Sequence, residues 1–171
     1  RTIPTGGGPQ GLALSPDGRL LYVAQSLDDT VLVMSTADFS VQKSIATSAA
    51  PRDIAVSPDG EALYVACRDR IESIGTVDDT IRESISAVGE PAGLALAPDG
   101  RRLFITSTAG GTLTVIDARE FMPSDVIDLG NAFEPSSVRV APGGDFLYVT
   151  GLSSTRVLAL DTRDFSEIAS V

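Results

Sequence analysis

Ser15-Pro16-Asp17-Gly18-Arg19-Leu20-Leu21-Tyr22-Val23-Ala24 is the stretch on which the fold turns. Its first four residues are turn chemistry. Proline presets φ for the first central position, aspartate bonds its own backbone, and glycine accepts the left-handed conformation that closes a hairpin. The residues that follow, centred on Leu21, Tyr22 and Val23, are β-branched, aromatic or aliphatic and read as a strand. On the other side of the turn, residues 11–15 carry Leu12, Ala13 and Leu14 and read as its antiparallel partner.

The same passage returns three times. Pro9-Gln10-Gly11-Leu12-Ala13-Leu14-Ser15-Pro16-Asp17-Gly18 aligns with the stretches that open at Pro51, Pro91 and Pro135. These prolines are 42, 40 and 44 residues apart, the period of a four-stranded propeller blade. The second strand recurs as Leu63-Tyr64-Val65, Leu103-Phe104-Ile105 and Leu147-Tyr148-Val149. A third strand is expected at Thr30–Ser35, Thr112–Asp117 and residues 155–161. A fourth is expected at residues 41–47, 82–87 and 125–129. No stretch shows a helical period with caps. The expected fold is therefore all-β, with propeller blades of four antiparallel strands and four repeats, approximately 9–50, 51–90, 91–134 and 135–171. Stacking blades buries the apolar faces that one blade cannot cover alone.

The units resemble the YVTN-type β-propeller repeats of surface-layer and secreted proteins, a WD-repeat-like architecture. The resemblance rests on Ser-Pro-Asp-Gly followed by Leu21-Tyr22-Val23-Ala24, Leu63-Tyr64-Val65-Ala66 and Leu147-Tyr148-Val149-Thr150, and it covers essentially the whole chain. Blade two departs from it with Cys67-Arg68-Asp69-Arg70 between its second and third strands. Blade four departs with Pro142-Gly143-Gly144-Asp145 at the turn. The resemblance implies an extracellular, cell-surface or periplasmic location.

Ile3 precedes Pro9 by the interval at which Ile45 precedes Pro51 and Ile85 precedes Pro91. Residues 1–8 are thus expected to complete an outer strand, with Val171 at the matching position of the last blade. Three arrangements fit this phase: a piece of a longer propeller, two chains closing an eight-blade ring, or four blades closing alone. An open arc would leave apolar blade faces uncovered at both ends.

A net charge of −10 excludes nucleic acid as a partner, because phosphate binding depends on Lys and Arg. No apolar run is long enough for a membrane-spanning helix. The absence of histidine removes the commonest general base and metal ligand and with them any Ser-His-Asp triad. Cys67, the one cysteine, reads as a half-buried structural thiol with Arg68 and Arg70 nearby. Each Asp-Gly turn offers a single carboxylate on its own blade, short of the converging oxygens a calcium site needs. Asp28-Asp29 and Asp78-Asp79 read as solvated loop acids, the first pair with weak cation-binding character. Gly6-Gly7-Gly8 is followed by neither Gly-Lys-Ser/Thr nor a helix, so it reads as a flexible connection rather than a phosphate loop. Tyr22, Tyr64, Phe104 and Tyr148 read as core.

What remains is the face built by loops entering the first strands and leaving the second. Its polar positions vary between repeats and form the candidate binding set: Gln10, Gln25, Arg52, Asp53, Arg68, Ser107, Ser136 and Ser137. The expectation from sequence is a non-enzymatic module that binds a protein or small-molecule ligand there, with no catalytic residue, metal or cofactor. The alternative is a fragment of a propeller enzyme such as a lactonase or a cofactor-dependent dehydrogenase.

Overall fold

In the computed structural model, residues 2–87 and 89–170 are described. Arg1 and Val171, the outermost residues of the expected shared outer strand, lie outside them. Among the described residues, sixteen strands form four separate four-stranded antiparallel sheets, each a simple meander. Blade 1 is β1 (Pro9–Leu14), β2 (Leu20–Gln25), β3 (Thr30–Ser35) and β4 (Val41–Ala46). Blade 2 is β5 (Asp53–Val56), β6 (Ala62–Ala66), β7 (Arg70–Gly75) and β8 (Ile81–Ser86). Blade 3 is β9 (Pro91–Leu96), β10 (Arg102–Ser107), β11 (Thr112–Asp117) and β12 (Met122–Asp128). Blade 4 is β13 (Pro135–Val140), β14 (Phe146–Gly151), β15 (Val157–Asp161) and β16 (Glu167–Ser170). One short 3-10 turn, Asn131–Phe133, precedes β13.

The turn between the first two strands forms as its chemistry dictates. Gly18 donates to the Ser15 carbonyl at 2.8 Å and has φ +70°. The Asp17 carboxylate accepts the Ser15 hydroxyl at 2.6 Å and the Arg19 amide at 3.1 Å. Blade 4 closes the same turn without that carboxylate, through a Gly144 amide to the Ala141 carbonyl at 2.8 Å. The turn between the third and fourth strands has a second signature. Phe39, Asp79, Phe121 and Phe165 occupy one repeat position, and all four have left-handed φ between 49° and 63°. Beside each, the ladder slips register, at Val33/Met34, Ser73/Ile74, Val115/Ile116 and Ala159/Leu160. Such a bulge twists the outer strand and leaves one residue unpaired.

The chain divides into two units, Arg1–Ser86 and Ala87–Val171, each holding two blades. In the first, Tyr22, Ala24, Val31, Val33 and Ile45 of blade 1 pack with Ile54, Leu63, Val65, Cys67 and Ile74 of blade 2. Alternation along the strands brings these residues to facing sides of the two sheets. Each fully buried aliphatic side chain there contributes about 1.5–3 kcal/mol. Lys43 stitches the contact by donating to the Thr76 carbonyl at 3.0 Å and to Asp79 Oδ1 at 2.6 Å. Cys67 is fully buried in this core, not half-buried as its sequence position suggested.

In the second unit, Ala95, Ala97, Phe104, Leu113 and Val115 of blade 3 pack against blade 4 through Val138, Leu147, Val149, Leu158 and Leu160. Arg102 lies over the Phe104 ring and donates to the Thr162 carbonyl at 2.5 Å. Thr162 holds the repeat position of Thr76. The aromatic series of the second strands is not uniformly core. Tyr22, Tyr64 and Phe104 are buried, but Tyr148 is 45% exposed, because nothing among the described residues covers that side of blade 4.

Candidate functional site

The innermost strands place the candidate residues. In the first unit the third position of the repeat is Gly11 in blade 1 and Asp53 in blade 2. In the second unit it is Gly93 in blade 3 and Ser137 in blade 4. The two residues of each pair are packed against one another. A Cβ on Gly11 would meet Asp53, and a Cβ on Gly93 would meet Ser137. The inner rim of each unit thus alternates a bare backbone with a polar side chain.

On the first rim, Asp53 is 9% exposed and its Oδ1 accepts the Ile54 amide at 3.0 Å. Arg52 is half-buried and joins the blade through its own amide, which donates to the Ala66 carbonyl at 2.8 Å. Gln10 is exposed and donates to Ser26 Oγ at 3.1 Å. Gln25 is buried, with its Oε1 accepting the Thr30 hydroxyl at 2.9 Å. Arg68 is exposed, and its amide donates to the Ala49 carbonyl at 3.0 Å. These five belong to the first unit.

Ser107, Ser136 and Ser137 belong to the second. Ser107 is buried and accepts the Gly110 amide at 3.2 Å. Ser136 is half-buried and donates to the Thr150 carbonyl at 3.3 Å. Ser137 is half-buried behind Gly93.

Beneath the loop that carries Arg52 and Asp53 lies a group the sequence reading did not single out. Glu72, on β7, is 1% exposed. Its carboxylate accepts the Ser48 amide at 3.2 Å and the Ser48 hydroxyl, and the Cys67 thiol at 3.7 Å. A buried carboxylate is tolerated only when donors saturate it. The same repeat position holds Leu32 in blade 1, Thr114 in blade 3 and Leu158 in blade 4, so the signal was in the alignment: one charged residue in an otherwise uncharged column. Burial and the neighbouring Glu72 push the Cys67 thiol up to about 12, the opposite of the activation that Arg68 and Arg70 would give.

The loop acids act as clasps. Asp28 accepts the Gly7 amide at 2.6 Å, and Asp29 accepts the Ala50 amide at 2.7 Å. They anchor two different loops, so the pair does not converge on a cation. The Gly6–Gly8 run is tied as well, with the Ser26 amide donating to the Gly8 carbonyl at 2.9 Å and Leu27 to Gly7 at 3.3 Å. Among the described residues, no three His, Cys, Asp or Glu side chains gather as a metal site. On the opposite side of the first unit, a hollow of about 320 Å³ lies between the Pro-Asp-Gly turns, lined by Asp17, Tyr22, Asp59 and Thr76. Asp17 and Asp59 are engaged in their own turns there, held low by Ser15 and Ser57 hydroxyls and then by the Arg19 and Glu61 amides.

Four-stranded meanders that stack face to face on a period near 42 residues are β-propeller blades. The model of the family described as lactonase, 7-bladed beta-propeller, matches residues 2–77. No curated protein matches the chain. Among solved structures, the chain is similar to Kuenenia stuttgartiensis hydrazine synthase, with 21% identity and a TM-score of 0.87. That match covers 99% of this chain and 50% of the other, so the chain spans half the length of its structural relative. At this identity the likeness shows the fold. The expectation of a non-enzymatic module is corrected by these matches, since both the family model and the structural relative carry the names of enzymes.

Proposed function

We propose that this chain is part of a propeller enzyme of the lactonase kind, and that the inner rim of its first unit contributes to a site for hydrolysing a cyclic ester. The observation that carries this reading is the span of the family match. Residues 2–77 take in Gln10, Gln25, Arg52, Asp53 and Arg68 and stop before the second unit. In the reaction, water attacks the lactone carbonyl, the ring C–O bond breaks, and the hydroxy acid that forms ionises at neutral pH to its carboxylate, releasing a proton. Such chemistry asks for a group that takes the proton from water and for donors that hold the oxygen as it gains charge. Asp53 supplies a carboxylate at the rim, and Arg52 and Gln10 supply donors on the adjoining backbone. No histidine is needed for these roles.

The test is proton release from a panel of five- and six-membered lactones by the purified chain at pH 7. Turnover above the spontaneous rate, lost in Asp53→Asn and weakened in Gln10→Ala while the circular dichroism stays unchanged, supports the reading. A folded chain that releases protons only at the spontaneous rate overturns it.

A further inference from the structure

The second unit places its own arginine where the first unit has a hollow. In blade 3, Arg102 opens β10, lies over the Phe104 ring at 5.5 Å and donates to the Thr162 carbonyl at 2.5 Å. The repeat sets Leu20, Tyr22 and Thr76 at those three positions in the first unit. There an aliphatic side chain stands where blade 3 has its guanidinium. Leu20, Tyr22 and Thr76 line the hollow of about 320 Å³ with Asp17 and Asp59. That volume suits a small ligand group.

Three acceptors in this hollow are not used by the fold. The turns engage only Oδ1 of each aspartate. Asp17 Oδ1 takes the Ser15 hydroxyl and the Arg19 amide, and Asp59 Oδ1 takes the Ser57 hydroxyl at 2.5 Å and the Glu61 amide at 3.0 Å. Asp17 Oδ2 has the exposed Arg19 side chain at 3.7 Å, and Asp59 Oδ2 has no hydrogen-bond partner among the described residues. Tyr22 is 3% exposed, and its hydroxyl also makes no hydrogen bond among the described residues. No fully enclosed side-chain oxygen there lacks a partner, so the phenol hydroxyl opens onto the hollow it lines. Burial, and then the Asp17 and Asp79 charges, push the Tyr22 phenol up, so it stays neutral. Lys43 reaches the Thr76 carbonyl from the outer strand and is already paired with Asp79 at 2.6 Å.

We propose that this hollow is a binding site for a guanidinium group, received between the Asp17 and Asp59 carboxylates and hydrogen-bonded to the Tyr22 hydroxyl. The acceptors stand on two blades. A guanidinium presents its N–H donors in a planar fork that reaches several acceptors at once, whereas an ammonium is a compact point charge. Charge-assisted bonds of this kind are the strong ones. The site lies on the side of the first unit opposite the Asp53 rim and does not depend on the lactone reading.

The experiment is an NMR titration read at the Gly18 and Gly60 amides. The probes are N-acetyl-arginine amide, its uncharged isostere N-acetyl-citrulline amide, and a blocked Gly-Gly-Arg-Gly-Gly peptide. The arginine probes are expected to shift these amides saturably, and the citrulline probe is not. Asp59→Asn should weaken binding about tenfold, the loss of one hydrogen bond to a charged group. Tyr22→Phe, which installs the residue of blade 3, should weaken it as well. Leu20→Arg, which gives the first unit its own guanidinium, should abolish it. A peptide that binds tighter than the amide assigns the site to an arginine of a polypeptide, and equal binding assigns it to a small guanidinium compound. No saturable shift with either arginine probe, or equal binding of the citrulline probe, overturns the inference. So does full affinity in both Asp59→Asn and Tyr22→Phe, which decide the matter if Leu20→Arg does not fold.

Discussion

Gly11 lies so close to Asp53 that a Cβ on the glycine would stand 2.5 Å from the Asp53 Cα. The second unit repeats the arrangement, with a Cβ on Gly93 reaching 2.7 Å from the Ser137 Cα. The obstacle is backbone in both cases and cannot swing aside. Gly11→Ala and Gly93→Ala are therefore expected to push the inner strands apart and cost about 1–3 kcal/mol each, the usual range for overpacking. Urea midpoints check this. An alanine at either position with wild-type stability would mean that the inner strands are not in contact.

The Glu72 carboxylate accepts the Ser48 amide and hydroxyl and so bridges β7 to the loop that leads to Arg52 and Asp53. Glu72→Ala is expected to leave buried donors unanswered, at a cost of about 1–3 kcal/mol. Glu72→Leu restores the side chain that blades 1 and 4 use at this position and should be the milder of the two. Both should speed hydrogen exchange at the Ser48 amide. If Glu72→Leu proves the more destabilising, the carboxylate is holding more than this loop.

With its thiol pushed up to about 12 by burial and by Glu72, Cys67 stays protonated in the folded chain across the physiological range. It should ignore Ellman's reagent at pH 8 until urea unfolds the protein. In the unfolded chain the thiol titrates near its ordinary value of 9.0. The stability it contributes is therefore complete below pH 9 and is lost as pH rises from about 9 to about 12. Cys67→Ala should flatten the alkaline limb of a melting-temperature profile; an unchanged limb counts against this assignment.

The turn carboxylates predict the acid limb. Asp17 and Asp59 are held low by serine hydroxyls and then by turn amides, Asp117 by the Glu120 and Arg119 amides. Asp161 is brought down to about 2 by the Arg163 guanidinium, which donates to it at 2.5 Å. A carboxylate with a lowered folded value stabilises the fold above its unfolded value of 3.8 and loses that contribution as pH falls through the folded one. Melting temperature should hold between pH 7 and about 5 and fall below about 4. Asp161→Asn should make that fall shallower, and an identical slope would remove Asp161 from the cause.

Strands rich in buried apolar residues were legible in the sequence to the residue, as at Thr30–Ser35 and Thr112–Asp117. Outer strands were not. Residues 125–129 were expected where Met122–Asp128 forms, because a strand exposed at Val126 and Met122 keeps no apolar period to read. Tyr148 misled for a different reason: its own strand is identical in pattern to β2, and its burial depends on a neighbour rather than on its sequence. Asp28 and Asp29 look like a pair in the chain but serve two loops, a separation that only the folded backbone reveals. The rim residues could be named from repeat position. Their chemistry could not, and the enzyme relationship came from matches outside the chain.

Every sheet here joins only strands that follow one another along the chain. Each ladder is therefore local, and no strand of one blade is threaded into another. Such wiring lets a blade form on its own short loops, at low entropic cost and high speed. It also makes blade number a copy-number variable. A block the length of the Pro9-to-Pro51 interval, 42 residues, can be duplicated or deleted in a gene without cutting a single surviving ladder, so selection acts only on how the faces meet.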